Sequence, residues 1–195
     1  MADEYEQRRF ADAEAWEAWL EEHAETVDGV RLVIAKKGSA HRTVSYVEAL
    51  DVALCHGWID ARRNALDTDF FLQTFTRRRA KSIWSQVNQG KVAALIEAGR
   101  MREGGRREID RAKADGRWDA AYASQSTIEV PADLAEALAA DPAAQAAFAA
   151  LGSQERYALL FRLHHLKRAD TRARRIAAAV DALARPPHPE PPARP

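Results

Sequence analysis

The sequence predicts an α+β fold, a small and mostly antiparallel sheet covered by helices and followed by a compact helical unit. Three observations carry that prediction. Residues 58–62 and 70–75 read as two strands on either side of a turn-forming segment, which is the pattern of a hairpin. Segments with helical spacing, opened by a capping residue or closed by glycine, share the first 118 residues with such runs. After residue 131 the signals are helical only.

Taken in chain order, Phe10, Trp16, Trp19 and Leu20 recur at helical spacing with acids between them, which predicts an amphipathic lid helix over about 12–25. Val30 to Ala35 contains the β-branched residues Val30, Val33 and Ile34, and Lys36-Lys37-Gly38-Ser39 ends it as a strand running into a turn. Ser45 and Glu48 have the spacing of a capping box, so the next helix starts there. It continues through Leu50, Val52, Ala53 and Leu54 to Gly57, a residue able to take the left-handed conformation that ends a helix. Apolar residues surround most of this helix, which predicts a central place for it. Asn64 to Asp69 supplies the hairpin turn. Ser85 to Ala98, closed by Gly99, and Glu103 to Asp115, markedly basic and closed by Gly116, are the next two helices.

The expected organisation is an α/β body over residues 1–118, a linker over 119–131 that contains Ser, Thr, Gln and Pro without helical periodicity, and a helical unit over 132–185. Pro131, Asp141-Pro142, Ser153 and Asp170 give start signals for helices near 132–139, 142–150, 154–167 and 171–184. Pro186 to Pro195 has the composition of a disordered tail.

At 195 residues the chain buries a core without staples. Its single cysteine, Cys55, excludes an internal disulfide framework and a cysteine-based zinc site, and fits a reducing compartment. The adjacent pair His164-His165 lacks the spacing that puts two ligands on one helix face, so no metal and no cofactor is expected. The acidic N-terminus has no signal-like apolar stretch, and no run approaches the ~20 residues a bilayer requires, so the expected location is cytoplasmic. The 29 basic and 29 acidic residues cancel, which argues against a general electrostatic nucleic-acid binder. Charge is nonetheless uneven. Residues 1–28 carry ten acids and two bases, 67–118 seven acids and twelve bases, and 154–195 four acids and nine bases, so local contact with an anion stays open.

The stretch Ala53-Leu54-Cys55-His56-Gly57-Trp58-Ile59-Asp60, with Phe75-Thr76-Arg77-Arg78, Ser82-Ile83-Trp84-Ser85 and Asn88, resembles the YdeI/OmpD-associated family. Lys167-Arg168-Ala169-Asp170-Thr171-Arg172-Ala173-Arg174-Arg175-Ile176 is similar to the Thr-Arg-rich helix of that family's bacteriocin-protection module. The chain departs from the family pattern at His56, Arg77 and Ala169-Asp170. The resemblance implies a cytoplasmic bacterial protein connected with tolerance of bacteriocins, antimicrobial peptides and envelope stress. It implies no reaction, cofactor or catalytic residue.

Glu48, Asp51 and Cys55 are spaced by three and four residues, which places two carboxyls and a thiol along one face of the predicted helix. With Asp60 they outline a site walled by Trp58 and Trp84, bordered by Arg78 and Lys36, and reached by Asn88. Two readings stand: a ligand site, or a salt-bridge cluster holding the hairpin on the helix, with Arg62, Arg78 and Lys36 as the partners of the carboxylates. Cys55 reads as a packed residue, because the neighbouring His56 does not face it on a helix. Arg77 to Lys81 precede a helix start and form either an anion-binding loop or a solvated one. In the C-terminal unit Arg168, Arg172 and Arg175 share one helical face, opposite Ile176, Val180 and Leu183, and offer a surface to an acidic partner. The expected function is binding of a small anionic ligand or an acidic partner segment. The alternatives are an enzyme using the clustered carboxylates for acid-base chemistry and nucleic-acid binding through the basic helices.

Overall fold

The computed structural model describes residues 5–166 and 168–185. Lys167 and the stretch Pro186 to Pro195, expected from its composition to be a disordered tail, lie outside the described residues. The chain separates into two compact units that divide after Ala121.

The first unit is built on a four-stranded mixed sheet of β1 (Gln7–Arg8), β2 (Gly29–Ala35), β3 (Trp58–Ala65) and β4 (Phe70–Arg77), in the order β1-β2-β4-β3. β1 runs parallel to β2, and the other two pairs are antiparallel. The helices are α1 (Ala13–His23), α2 (Tyr46–Cys55), α3 (Gln86–Glu97) and α4 (Glu103–Ala114). The fold class is α+β. The expected hairpin is β3–β4, but β3 runs on to Ala65, so the turn is confined to residues 66–69. There the Asp67 carboxylate accepts from the amides of Asp69 and Phe70, both at 2.8 Å, and closes the turn locally.

Pairing of Val30 with Phe75 and Ile34 with Phe71 sets one face of the sheet, and the period-two alternation adds Leu32 to it. That face, with Trp58, joins Trp16, Trp19 and Leu20 of α1 and the buried side of α2 in one core. Trp16 is fully buried, its ring 5.2 Å from Phe10, 5.4 Å from Trp19, 5.9 Å from Phe75 and 6.3 Å from Trp58. Two of the buried indoles have their N–H groups satisfied by backbone: Trp16 donates to the Ala49 carbonyl at 3.1 Å and Trp58 to the Ala24 carbonyl at 3.2 Å. α1 is therefore fastened to α2 and to the start of β3, as a lid helix should be.

In the second unit α5 (Ala132–Ala139), α6 (Pro142–Ala150), α7 (Ser153–His164) and α8 (Ala169–Ala184) enclose Leu134, Leu138, Ala144, Phe148, Leu160, Leu163 and Ile176. The start signals act as their chemistry dictates. Asp141 accepts from the amides of Ala143 and Ala144, each at 3.0 Å, with Pro142 in the first turn where no amide is needed. Tyr122 sits edge-on to Phe161, with ring centroids 4.9 Å apart, and Ile128 packs on this core.

Candidate functional site

The site starts from the end of α2. The capping box that opens this helix is complete, with the Glu48 amide 3.3 Å from the Ser45 hydroxyl and the Ser45 amide 3.0 Å from the Glu48 carboxylate. The helix ends at Gly57, whose φ of 78° is the left-handed conformation that favours glycine. This reversal sends the chain straight into β3 and leaves the last carbonyls of α2 facing the start of α4. The contact is backbone to backbone. A Cβ at Gly105 would stand 2.3 Å from the Cys55 carbonyl oxygen, and one at Gly104 would stand 2.8 Å from that of His56. The Arg102 amide donates to the Cys55 carbonyl at 3.2 Å.

This approach creates a cleft of about 160 Å³ between the Gly57 turn, the end of β4 and the first turns of α4. Four arginines line it, Arg77 and Arg78 from the end of β4 and Arg107 and Arg111 from α4, against two glutamates, Glu25 and Glu108. Glu25 is shared: its carboxylate lies 2.6 Å from Arg107 and 3.4 Å from Arg77. Glu108 pairs with Arg111 one turn along the helix. Arg78 is placed differently, buried and with its guanidinium carbon 3.6 Å from the ring centroid of Trp84. Its amide donates to the Gly57 carbonyl at 3.0 Å and its Nη1 to the Ile83 carbonyl at 3.2 Å. Trp58 and His56 complete the wall. Burial holds the His56 imidazole below its usual pKa, opposed by the Glu17 carboxylate 4.0 Å away. The cleft thus combines a fixed guanidinium, three half-exposed ones and a cationic excess of two.

Of the residues singled out from sequence, Trp58 and Arg78 come together in this cleft, with Trp84 packed behind Arg78 and against Trp118, ring centroids 4.8 Å apart. The three carboxylates have separate partners. Glu48 serves the cap, where the hydrogen bonds from Ser45 lower its pKa. Asp51 is 2.7 Å from Lys91 of α3, and Asp60 accepts from the Tyr46 hydroxyl at 2.8 Å. Lys36 donates to the Asp67 carbonyl at 2.5 Å, and the Asn88 amide donates to the Ser85 hydroxyl at 3.1 Å as part of the α3 cap. Sequence reasoning misses Arg107, Arg111, Glu25 and His56 as cleft residues. The signal available for the first two is the basic character of the 103–115 helix, which gives no reason to aim it at Gly57.

Cys55 is 1 % exposed, and burial pushes its thiol up to about 11. The thiolate fraction at neutral pH is therefore negligible, which fits a packed residue better than a nucleophile. A maleimide is expected to label the native protein far more slowly than the urea-unfolded chain. Equal rates would show that Cys55 is accessible and return it to consideration as a reactive group.

In the second unit Arg172 is tied to Asp133 at 2.5 and 2.9 Å and to the Leu163 carbonyl at 2.6 Å, so it fastens α8 to α5 and α7. Arg168 lies 3.1 Å from Asp170 on the same helix. Arg175 borders an apolar groove of about 760 Å³ between α7 and α8, floored by Leu159, Leu163 and Ala179.

Fold and site together define the class: a mixed-sheet α+β unit with an arginine-lined cleft, followed by an all-helical unit. The chain belongs to the family of the Domain of unknown function (DUF8412), whose model matches residues 8–108. Residues 127–185 match the model of the Bacteriocin-protection, YdeI or OmpD-Associated family. The cleft and the Ala53 to Asn88 segments fall largely within the first match, and the Thr-Arg-rich helix within the second. No curated protein and no solved structure matches the chain. Among the described residues no helix is long and apolar enough to cross a membrane.

Proposed function

We propose that this protein works by binding rather than catalysis, holding a small oxyanion in the cleft between the Gly57 turn and α4, and that this binding serves tolerance of bacteriocins in the bacterial cytoplasm. The carrying observation is the charge of the cleft, four arginines converging from two elements against two glutamates. A ligand of two negative charges would balance the excess, and guanidinium forks match the planar or tetrahedral oxygens of carboxylate, sulfate or phosphate. The volume of about 160 Å³ suits a compact ion or a short dicarboxylate and excludes a drug-sized molecule. The role in tolerance rests on the family match over residues 127–185. Separate partners for Glu48, Asp51 and Asp60 give the acid-base alternative no paired carboxylates to work with.

The test is a thermal-shift titration with sulfate and with succinate, using the wild type and Arg107→Ala/Arg111→Ala. Both side chains are substantially exposed, 53 % and 39 %, so the double variant should fold. The expected result is a saturable rise in Tm for the wild type with at least one of the two ions and none for the variant. Identical responses from the two proteins would refute binding in this cleft.

A further inference from the structure

A second concave surface of about 500 Å³ lies where the end of β2 meets the start of α2, and it shares no lining residue with the arginine-lined cleft. Lys36 and Lys37 come from the end of β2, Arg42 from the loop that leads into α2, and Arg63 from β3. The 36–42 segment and the remote β3 thus bring four cations to one groove. Among the described residues none of the four makes an ion pair within 4 Å and no carboxylate lines the groove, the nearest acidic influence being Glu48, whose carboxylate feels the Arg42 charge from the start of α2. The arginine-lined cleft differs on both counts, since glutamates are built into it.

The groove is also held in shape. Gly38, with φ of 89°, reverses the chain after Lys37, and the Thr43 hydroxyl then accepts from the Ala35 amide at 2.9 Å and donates to the Val44 carbonyl at 3.1 Å. Lys36 is anchored through the Asp67 carbonyl. The Arg63 guanidinium lies over Phe71, its carbon 3.7 Å from the ring centroid, so a planar cation is fixed before any ligand arrives. Ile34, Ala35 and Phe71 supply an apolar floor beside it.

We propose that this groove binds a phosphate monoester of mononucleotide size. Four cations around one groove with a single carboxylate, Glu48, acting on Arg42 leave a net positive charge, and a phosphate monoester, with a charge of about −1.5 to −2 at neutral pH, offsets it more completely than a single carboxylate. The two lysines and Arg42 offer point charges and a fork to the phosphate oxygens. The apolar floor and the stacked Arg63 offer a surface on which a planar base lies flat. The volume is in the range of sites that hold a whole small molecule, so inorganic phosphate alone would leave most of it unfilled.

The experiment is calorimetric titration of the full chain with AMP, adenosine and inorganic phosphate, repeated for Lys37→Ala/Arg42→Ala, Arg63→Ala and Arg107→Ala/Arg111→Ala. Lys37, Arg42 and Arg63 are exposed, and far-UV spectra will confirm that their variants fold. The expected result is saturable AMP binding at physiological salt, with adenosine and inorganic phosphate each much weaker. Lys37→Ala/Arg42→Ala and Arg63→Ala should weaken AMP by about tenfold or more, the usual scale for losing charge-assisted contacts, and Arg107→Ala/Arg111→Ala should leave it unchanged. Absence of saturation by AMP into the millimolar range overturns the proposal. So does AMP binding that survives both groove variants; if Arg107→Ala/Arg111→Ala abolishes it instead, the nucleotide occupies the arginine-lined cleft and the groove is empty of function.

Discussion

Gly105→Ala is expected to destabilise the protein by ~3 kcal/mol, seen as a lower denaturation midpoint with an unchanged slope. The added methyl would stand 2.3 Å from the Cys55 carbonyl oxygen, 2.5 Å from the Met101 methyl and 2.8 Å from the Leu54 carbonyl oxygen. The methionine can move aside, because it is the end of a flexible side chain. The two carbonyls cannot, because they are the last turn of a helix whose residues Val52 to Cys55 are buried. α4 must therefore retreat, and with it goes the Arg102 hydrogen bond to Cys55. Alanine has a better helix propensity than glycine by ~1 kcal/mol, which opposes this loss but is the smaller quantity. Gly90→Ala isolates it. Gly90 is inside α3, and no neighbouring atom lies within 4 Å of where its added methyl would stand, so that variant should be stabilised by up to ~1 kcal/mol. Gly105→Ala as stable as the wild type would mean that α2 and α4 are not in backbone contact, and the arginine-lined cleft would lose its rear wall.

Local chemistry in this sequence is legible because its partners are close in sequence. Ser45 and Glu48 are three residues apart, and their reciprocal bonds start α2 as their spacing predicts. Gly57, Gly99 and Gly116 each take a positive φ where a helix ends. β1 leaves no such trace, since two residues show no period and Gln7–Arg8 become a strand only by lying beside Arg31 and Leu32. The bulge in β3 between Asp60 and Arg63 is equally invisible, because the amide that serves its Ala61 and Arg62 carbonyls comes from Gln73 on the next strand.

The candidate site divides along the same line. Helical spacing puts Glu48, Asp51 and Cys55 on adjoining turns, but spacing does not say what packs there. Lys91, forty residues on from Asp51, takes its carboxylate, and apolar neighbours enclose Cys55. Sequence groups Arg78 and Trp58 with residues that lie elsewhere in the fold, and while it sets Arg77 beside Arg78 in one loop, it shows Arg107 and Arg111 only as part of a basic helix. What aims Arg107 and Arg111 at the Gly57 turn is the absence of side chains at Gly104 and Gly105. That absence carries meaning only once α2 is known to be opposite.

Arg78→Ala is expected to lose both stability, by roughly 3 kcal/mol, and the response to a bound anion. The side chain is 6 % exposed, and its contacts include two of comparable size. Its guanidinium on the Trp84 face is worth ~2 kcal/mol when desolvated, and its hydrogen bond to the Ile83 carbonyl, as a bond from a charged donor, ~1.5–3 kcal/mol. Removing a buried charge also recovers part of its desolvation cost, which keeps the net below the sum. Arg78→Lys keeps the charge without the planar fork, so it should fall between wild type and alanine. The cleft predicts a further contrast. Arg107 is exposed and Arg111 half-exposed against the buried Glu108, so their double substitution should abolish anion binding at a smaller cost in stability than Arg78→Ala, which should abolish it at a large one. A double-mutant cycle of Arg78→Ala with Trp84→Leu separates the contribution of the stacked pair from the other contacts of Arg78. A coupling of ~1–2 kcal/mol is expected from urea denaturation. Coupling near zero would mean that Trp84 does not hold Arg78, and wild-type stability in Arg78→Ala would mean that this arginine stands in solvent, leaving the cleft without its one fixed cation.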